Sequence, residues 1–132
     1  MHGKNRSRER SSIRPPQTGD EARELTRELL RAQRPGADEA DVGAVLLGVS
    51  ELVTNAVRHA GGVTDFRLEA GREGIAVEVS DASDRRPRML EADPCAPGGF
   101  GWLLVRELAS ELTVTVRPGR GKTVRAVFPV RT

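Results

Sequence analysis

Leu46 to Gly62 reads LLGVSELVTNAVRHAGG, and two periods run through it. Leu46, Val49, Val53, Ala56, Val57 and Ala60 recur at three- and four-residue steps, the repeat of a helix with one buried face. Ser50, Glu51, Thr54, Asn55, Arg58 and His59 form a second stripe, so Glu51 and Asn55 lie one turn apart on the same side. A solvated face is one reading of that stripe. Against it, Gly43 to Val57 holds a single Glu and no Lys or Arg, whereas a face that merely meets water carries mixed charge. A metal site is the other reading. An Asn carbonyl offers Mg²⁺ a hard oxygen without adding charge, and Mg²⁺ keeps waters and substrate phosphates as its remaining ligands. A Glu one turn away can hold one of those waters or take a proton. This second reading requires phosphate-binding groups elsewhere in the chain.

The chain has 132 residues, 37% hydrophobic and 30% charged, which describes one globular domain with a real core. No apolar run reaches the roughly 18 residues of a membrane span, and the N-terminus has no apolar signal region. A cytoplasmic protein without membrane contact is expected. The single cysteine, Cys95, cannot close an internal disulfide, and with His2 and His59 it gives no zinc spacing. The net charge of +2 is unevenly placed. Residues 1–17 hold Lys4, Arg6, Arg8, Arg10 and Arg14 against Glu9, so the remainder is slightly acidic. A basic tail rich in Ser, Arg and Pro, with only 3% aromatic residues for base stacking, argues against direct nucleic-acid binding.

Residues 1–19 show no period and read as a flexible basic tail, with a short edge strand around Ser12 to Arg14; the domain itself occupies 20–132. Asp20 is expected to cap a first helix whose apolar stripe is Ala22, Leu25, Leu29 and Leu30, ending at Pro35-Gly36. The second helix starts near Asp38 to Asp41 and runs to Gly61-Gly62. Val63 to Ala70 and Ile75 to Ser80 alternate about a Gly71 to Gly74 turn, a hairpin with one buried face. After Asp81-Ala82-Ser83, the polar, proline-containing stretch Asp84 to Pro97 is long enough to be a functional lid. Gly98-Gly99-Phe100-Gly101 then forms a loop before a helix over Trp102 to Ser110, with a face marked by Leu104, Leu108 and Leu112. Glycines ahead of a helix let backbone N–H groups close on an anion, although capping and turns explain most such clusters. Leu112 to Val116 and Thr123 to Phe128 form a second hairpin about Arg117 to Gly121.

A Glu…Asn helix, an Asp closing a strand and a glycine run opening a later helix together resemble the ATP-binding domain shared by gyrase, heat-shock chaperones, histidine kinases and mismatch-repair proteins. Within it, Glu51 to Ala60 (ELVTNAVRHA) is similar to the small anti-sigma-factor serine/threonine kinases of actinobacterial type. The order of Asp-x-Ser, proline-containing lid, Gly-Gly-Phe-Gly and Gly-Lys-Thr matches that family over roughly residues 20–130. An arginine bias, with only Lys4 and Lys122 as lysines among 21 basic residues, suits a GC-rich genome.

The resemblance implies an α+β two-layer sandwich of the Bergerat type: a mixed, mainly antiparallel sheet of four or five strands with about three helices on one face. It implies ATP and Mg²⁺ as cofactors, with Asn55 as the metal ligand and Glu51 as the catalytic base. Asp81 would accept from the adenine amine, with Thr123 beside it. Arg58, His59, Ser83, Gly99, Phe100, Gly101, Trp102 and Leu103 complete the implied ATP site. The implied function is a regulatory kinase that phosphorylates an anti-anti-sigma protein and otherwise holds a sigma factor inactive, with a homodimer left open. A non-catalytic ATP-sensing module and a detached histidine-kinase catalytic domain are the alternatives. Asp81-Ala82-Ser83-Asp84-Arg85 departs from the family's Asp-x-Gly-x-Gly, and Trp102 stands where Leu is commoner. Trp102 reads equally as a site residue and as a core residue. Arg85, Arg86 and Arg88 are candidate phosphate-binding groups in the lid.

Overall fold

Residues 14–85 and 99–132 are described by a computed structural model of the protein. Most of the stretch expected to be a basic tail, and residues 86–97 of the stretch expected to be a lid, with Arg86, Arg88 and Cys95, lie outside the described residues.

Thr18, not Asp20, caps the first helix, α1 (Gly19–Gln33). Its hydroxyl accepts from the Glu21 backbone N–H, the geometry that a Thr-x-x-Glu spacing favours. Asp20 sits inside the first turn and pairs with Arg23. The helix buries Ala22, Thr26 and Leu30, with Leu25 and Leu29 packed at the margin. The hydroxyl of Thr26 is satisfied by the Ala22 carbonyl at 2.8 Å. Ahead of α1, Gln17 donates to the Val63 carbonyl and accepts from the Val63 N–H, tying the chain start to the far end of the next helix.

Helix α2 (Glu39–Ala60) begins at Asp38, whose carboxylate accepts from the Ala40 and Asp41 N–H groups, and ends on Gly61 at φ 81°, a left-handed conformation that glycine adopts without strain. Its buried face is Val45, Gly48, Val49, Ser50, Leu52, Val53 and Ala56. Val57, expected in the apolar stripe, is exposed, because the face turns one position toward Leu52. The helix is long and apolar enough by length and composition to cross a membrane, contrary to the reading that no such stretch exists. Its apolar side is instead spent on the protein core, between α1, α3 and the sheet.

The strands are β1 (Asp65–Gly71), β2 (Gly74–Asp81), β3 (Glu111–Arg117) and β4 (Gly121–Phe128), and α3 (Gly99–Leu108) enters between β2 and β3. They form one sheet in the order β1-β2-β4-β3, antiparallel at each of its three pairings. The fold is an α+β sandwich, three helices over an open four-stranded sheet. Phe66 and Leu68, then Ile75, Val77 and Val79, then Val124, Ala126 and Phe128 alternate toward the helices. The other face is polar and carries Arg125 between Glu111 at 2.8 Å and Glu78 at 3.6 Å. Helix α3 buries Trp102 and Val105. Leu104 is exposed and Leu112 belongs to β3, so the expected Leu104, Leu108 and Leu112 face is corrected: the helix stops at Leu108, and its inward repeat starts from Trp102.

At the C-terminus Arg131 binds Asp41 through both its backbone N–H and its guanidinium, at 2.8 and 2.9 Å, and holds that carboxyl below the usual carboxylate range. At Gly48 an added Cβ would overlap the fully buried Phe128 ring. Gly→Ala inside a helix normally gains about 1 kcal/mol. Here overpacking outweighs that gain, and Gly48→Ala is expected to destabilise the protein by about 1–3 kcal/mol in urea denaturation. An unchanged or raised midpoint would show that the Phe128 ring shifts freely.

Candidate functional site

The alternation that builds the core also builds the site. On β2 the inward series Ile75, Val77, Val79 continues to Asp81, and on β4 the series Phe128, Ala126, Val124 continues to Lys122. The register sets Asp81 directly opposite Lys122, so a carboxylate and an ammonium meet at the open end of the core. The Lys122 Nζ lies 3.0 Å from each Asp81 oxygen, and the two residues are 5% and 6% exposed. Ser83 completes the cluster: its N–H donates to Asp81 Oδ1 at 2.9 Å, and its carbonyl accepts from Lys122 Nζ at 3.4 Å. Gly121, at φ 107°, passes against the Asp81 carbonyl where any Cβ would overlap it. A buried ion pair adds little net stability once desolvation is counted, so the pair matters chiefly for the cavity that it lines.

That cavity, about 30 Å³, lies between α2, α3 and the ends of β2 and β4. Asn55, His59, Asp81, Trp102 and Lys122 are its polar lining, against walls that include Leu52, Val79 and Val124. Four of the residues expected at an ATP site, Asn55, His59, Asp81 and Trp102, are thus brought together from three separate elements. Ser83 joins through its bonds to the Asp81 and Lys122 pair.

The other expected residues fall elsewhere. Glu51 is half-buried one turn before Asn55 and does not line the cavity. Arg58 is exposed on α2, and Leu103 is half-buried on α3 without lining the cavity. Gly99, Phe100 and Gly101 form the first turn of α3 rather than a loop before it. Thr123 is a correction. It lies on the opposite face of the sheet from Asp81, its hydroxyl 2.8 Å from Ser80 Oγ and accepting from Arg117 at 2.7 Å. Strand alternation forces this, since residues 122 and 123 point to opposite faces. Lys122 is therefore the β4 residue at Asp81, a position that the sequence reading gave to its neighbour.

The donor set suits Mg²⁺ in one specific way. Among the described residues no group of three His, Cys, Asp or Glu side chains could hold an ion alone. An ion at the Asn55 amide carbonyl would thus rely on ligand phosphates and waters, the habit of Mg²⁺.

Residues 14–128 match the histidine kinase-like ATPase domain family HATPase_c_2. The chain belongs to this family. It is 30% identical to the serine-protein kinase RsbW of Staphylococcus aureus over 65% of its own length and 65% of that protein's. Among solved structures it resembles the RsbU and RsbW domains of Rv1364c from Mycobacterium tuberculosis, with a TM-score of 0.58 and 24% identity over 86% of this chain and 30% of that one. The histidine kinase domain of a blue-light activated histidine kinase from Erythrobacter litoralis matches with a TM-score of 0.52 and 24% identity, over 84% of this chain and 64% of that one. Both likenesses show the same fold; in this chain the Asn55 and Asp81 cavity lies between the helical layer and the sheet.

Trp102 turns out to be both things that its sequence position allowed, a core residue 1% exposed and a wall of the cavity. As the only tryptophan, it is expected to report ligands there. Adding Mg-ATP or Mg-ADP should change its emission saturably. A flat titration under conditions where calorimetry detects binding would place the nucleotide elsewhere.

Proposed function

We propose that this protein is an ATP-binding regulatory serine/threonine kinase of the cytoplasm. It acts as an anti-sigma factor, phosphorylates a small anti-anti-sigma protein, and otherwise holds a sigma factor inactive. The observation that carries this reading is the cavity shared by Asn55 and Asp81, in a chain of the histidine kinase-like ATPase family that is similar to a serine-protein kinase.

Asp81 accepts from the adenine amine, with the Ser83 N–H fixing its Oδ1. Asn55 presents its amide carbonyl on the phosphate side, and Arg58 and His59 follow on the next turn. The backbone N–H groups of Gly99 and Gly101, at the start of α3, face a region where a helix dipole favours phosphate. Mg²⁺, bound together with ATP, supplies charge neutralisation there. Glu51 has no ion pair among the described residues, which leaves its carboxylate available as a base. It takes the proton of the acceptor hydroxyl as that oxygen bonds to the γ-phosphorus and the bond to the bridging oxygen of ADP breaks.

The test is incubation with Mg-ATP and candidate partner proteins, followed by intact-mass measurement. A gain of one phosphoryl group on a partner is the expected result. Absence of any gain, with ATP binding intact, would favour a non-catalytic sensor that sequesters partners according to nucleotide. The position of Glu51 outside the cavity lining is what keeps that second reading in view.

A further inference from the structure

Strand β3 is an outer strand of the sheet, paired with β4 on one side and with no described strand on the other. Such an edge presents backbone N–H and C=O groups that another strand can take up, and proteins blunt it with proline, bulges or charges set inside the strand. None of these protects Glu111–Arg117. Its sequence, ELTVTVR, has no proline, its register with β4 runs without a bulge, and its charges sit only at the two ends. The other outer strand, β1, buries Phe66 and Leu68 on its inner face and carries Arg67 and Glu69 in its middle. On β3 the inward Leu112, Val114 and Val116 are only half-buried, although the residues opposite them on β4, Ala126, Val124 and Lys122, are buried. One more strand would complete their cover.

The strand that fits best is β3 itself. Turned antiparallel about Val114, Glu111 falls opposite Arg117 of a second copy, Leu112 opposite Val116, Thr113 opposite Thr115, and Val114 opposite Val114. Directly opposite residues share a face of the sheet, so apolar side chains meet on the core side and threonines on the outer side, with an opposite-charge pair at each end. We propose that β3 is a self-association edge: two copies of this chain pair antiparallel through Glu111–Arg117, with the twofold axis at Val114, and join their four-stranded sheets into one. Such a contact is isologous and closes at two copies. Both end residues are exposed. Within the chain Glu111 accepts from Arg125 at 2.8 Å, and Arg117 donates to the Thr123 hydroxyl. Among the described residues Arg117 has no carboxylate partner, which leaves its charge to be matched by the second copy.

Analytical ultracentrifugation of the full chain, from micromolar to near-millimolar concentration, reads the association. The wild type should form a dimer. Glu111→Arg and Arg117→Glu each set like charges opposite one another at both ends of the paired strands, and each should weaken the dimer about 10-fold or more. Combining them restores opposite charges and should restore the dimer, an effect that a fault in folding would not produce. Thermal unfolding checks each variant, and Arg117→Glu decides alone if Glu111→Arg misfolds through its loss of Arg125. In a Cys95→Ser background, Val114→Cys on the axis should oxidise to a covalent dimer, because opposite Cβ atoms lie about 4.5–5.5 Å apart. Glu69→Cys on β1 should not. A wild type that stays monomeric at every concentration would overturn the proposal. So would a dimer that ignores both charge reversals, or one that cross-links through β1 and not through β3.

Discussion

Asn55→Ala is expected to weaken Mg-dependent ATP binding by about 100-fold or more while the protein stays folded. The amide lines the cavity from the C-terminal third of α2, and loss of groups that merely support a metal ligand already costs about 10- to 100-fold in metal affinity. Truncation removes the carbonyl that the ion would use, and it does so without opening a large apolar void, since Asn55 is half-buried. Ala also has the higher helix propensity, by up to about 0.7 kcal/mol, which offsets part of any hydrogen bond lost. Calorimetric titration with and without Mg²⁺ measures the effect, and thermal unfolding controls for the fold. A folded variant with wild-type affinity would remove Asn55 from the site, and the Mg²⁺ reading of the Glu51 and Asn55 stripe with it.

The parts of the fold that were legible are those where a single period runs unbroken. The β1 and β2 hairpin follows from Phe66, Leu68 and Ala70 against Ile75, Val77 and Val79, and the helical stretch from Leu46 to Ala60 carries its own repeat and a glycine stop. Misreadings occur where two signals compete. Asp20 has the right chemistry for a cap, but the Thr18 hydroxyl accepts from the Glu21 N–H while the Glu21 carboxylate accepts from the Gln17 N–H, and Thr18 takes the cap. Gly99 and Gly101 read as loop on propensity, yet the chain is already helical there. Anchoring of Trp102 and Val105 in the core provides tertiary packing of the kind that overrides weak local preference. The buried face of α3 was missed for the same reason, because counting leucines ignored the larger Trp102.

The candidate site was legible in which polar residues share a cavity and not in its parity. Asn55 and Asp81 stand out as polar groups at the ends of apolar patterns, and one cavity joins them. Extending the β4 alternation one step back from Val124 points Lys122, not Thr123, at the core. The same step on β2, from Val79 to Asp81, points the carboxylate inward. A lysine and an aspartate on the inner faces of two strands that may be neighbours is a readable signal, but only once the sheet order β1-β2-β4-β3 is known. In sequence the two are separated by α3 and β3, and nothing local indicates that β4 pairs with β2.

Glu51→Gln is expected to retain ATP binding and to lose phosphoryl transfer by about 10²- to 10⁴-fold, the contribution typical of a general base. The amide keeps the size and most of the hydrogen-bonding capacity of the carboxylate but cannot accept a proton at neutral pH. Because Glu51 does not line the cavity, the substitution should leave nucleotide affinity within about twofold, in contrast to Asn55→Ala. The two variants thus separate holding the nucleotide from activating the acceptor. Intact-mass time courses on the phosphorylated partner give the rate, and calorimetry gives the affinity. Transfer at the wild-type rate would mean that the acceptor hydroxyl needs no proton acceptor at this position, as in a loose transition state governed by positioning and charge alone. Loss of binding and transfer together would instead make Glu51 part of the nucleotide site. That outcome would require α2 to present both of its polar residues to the ligand, with the cavity widening toward the N-terminal half of the helix.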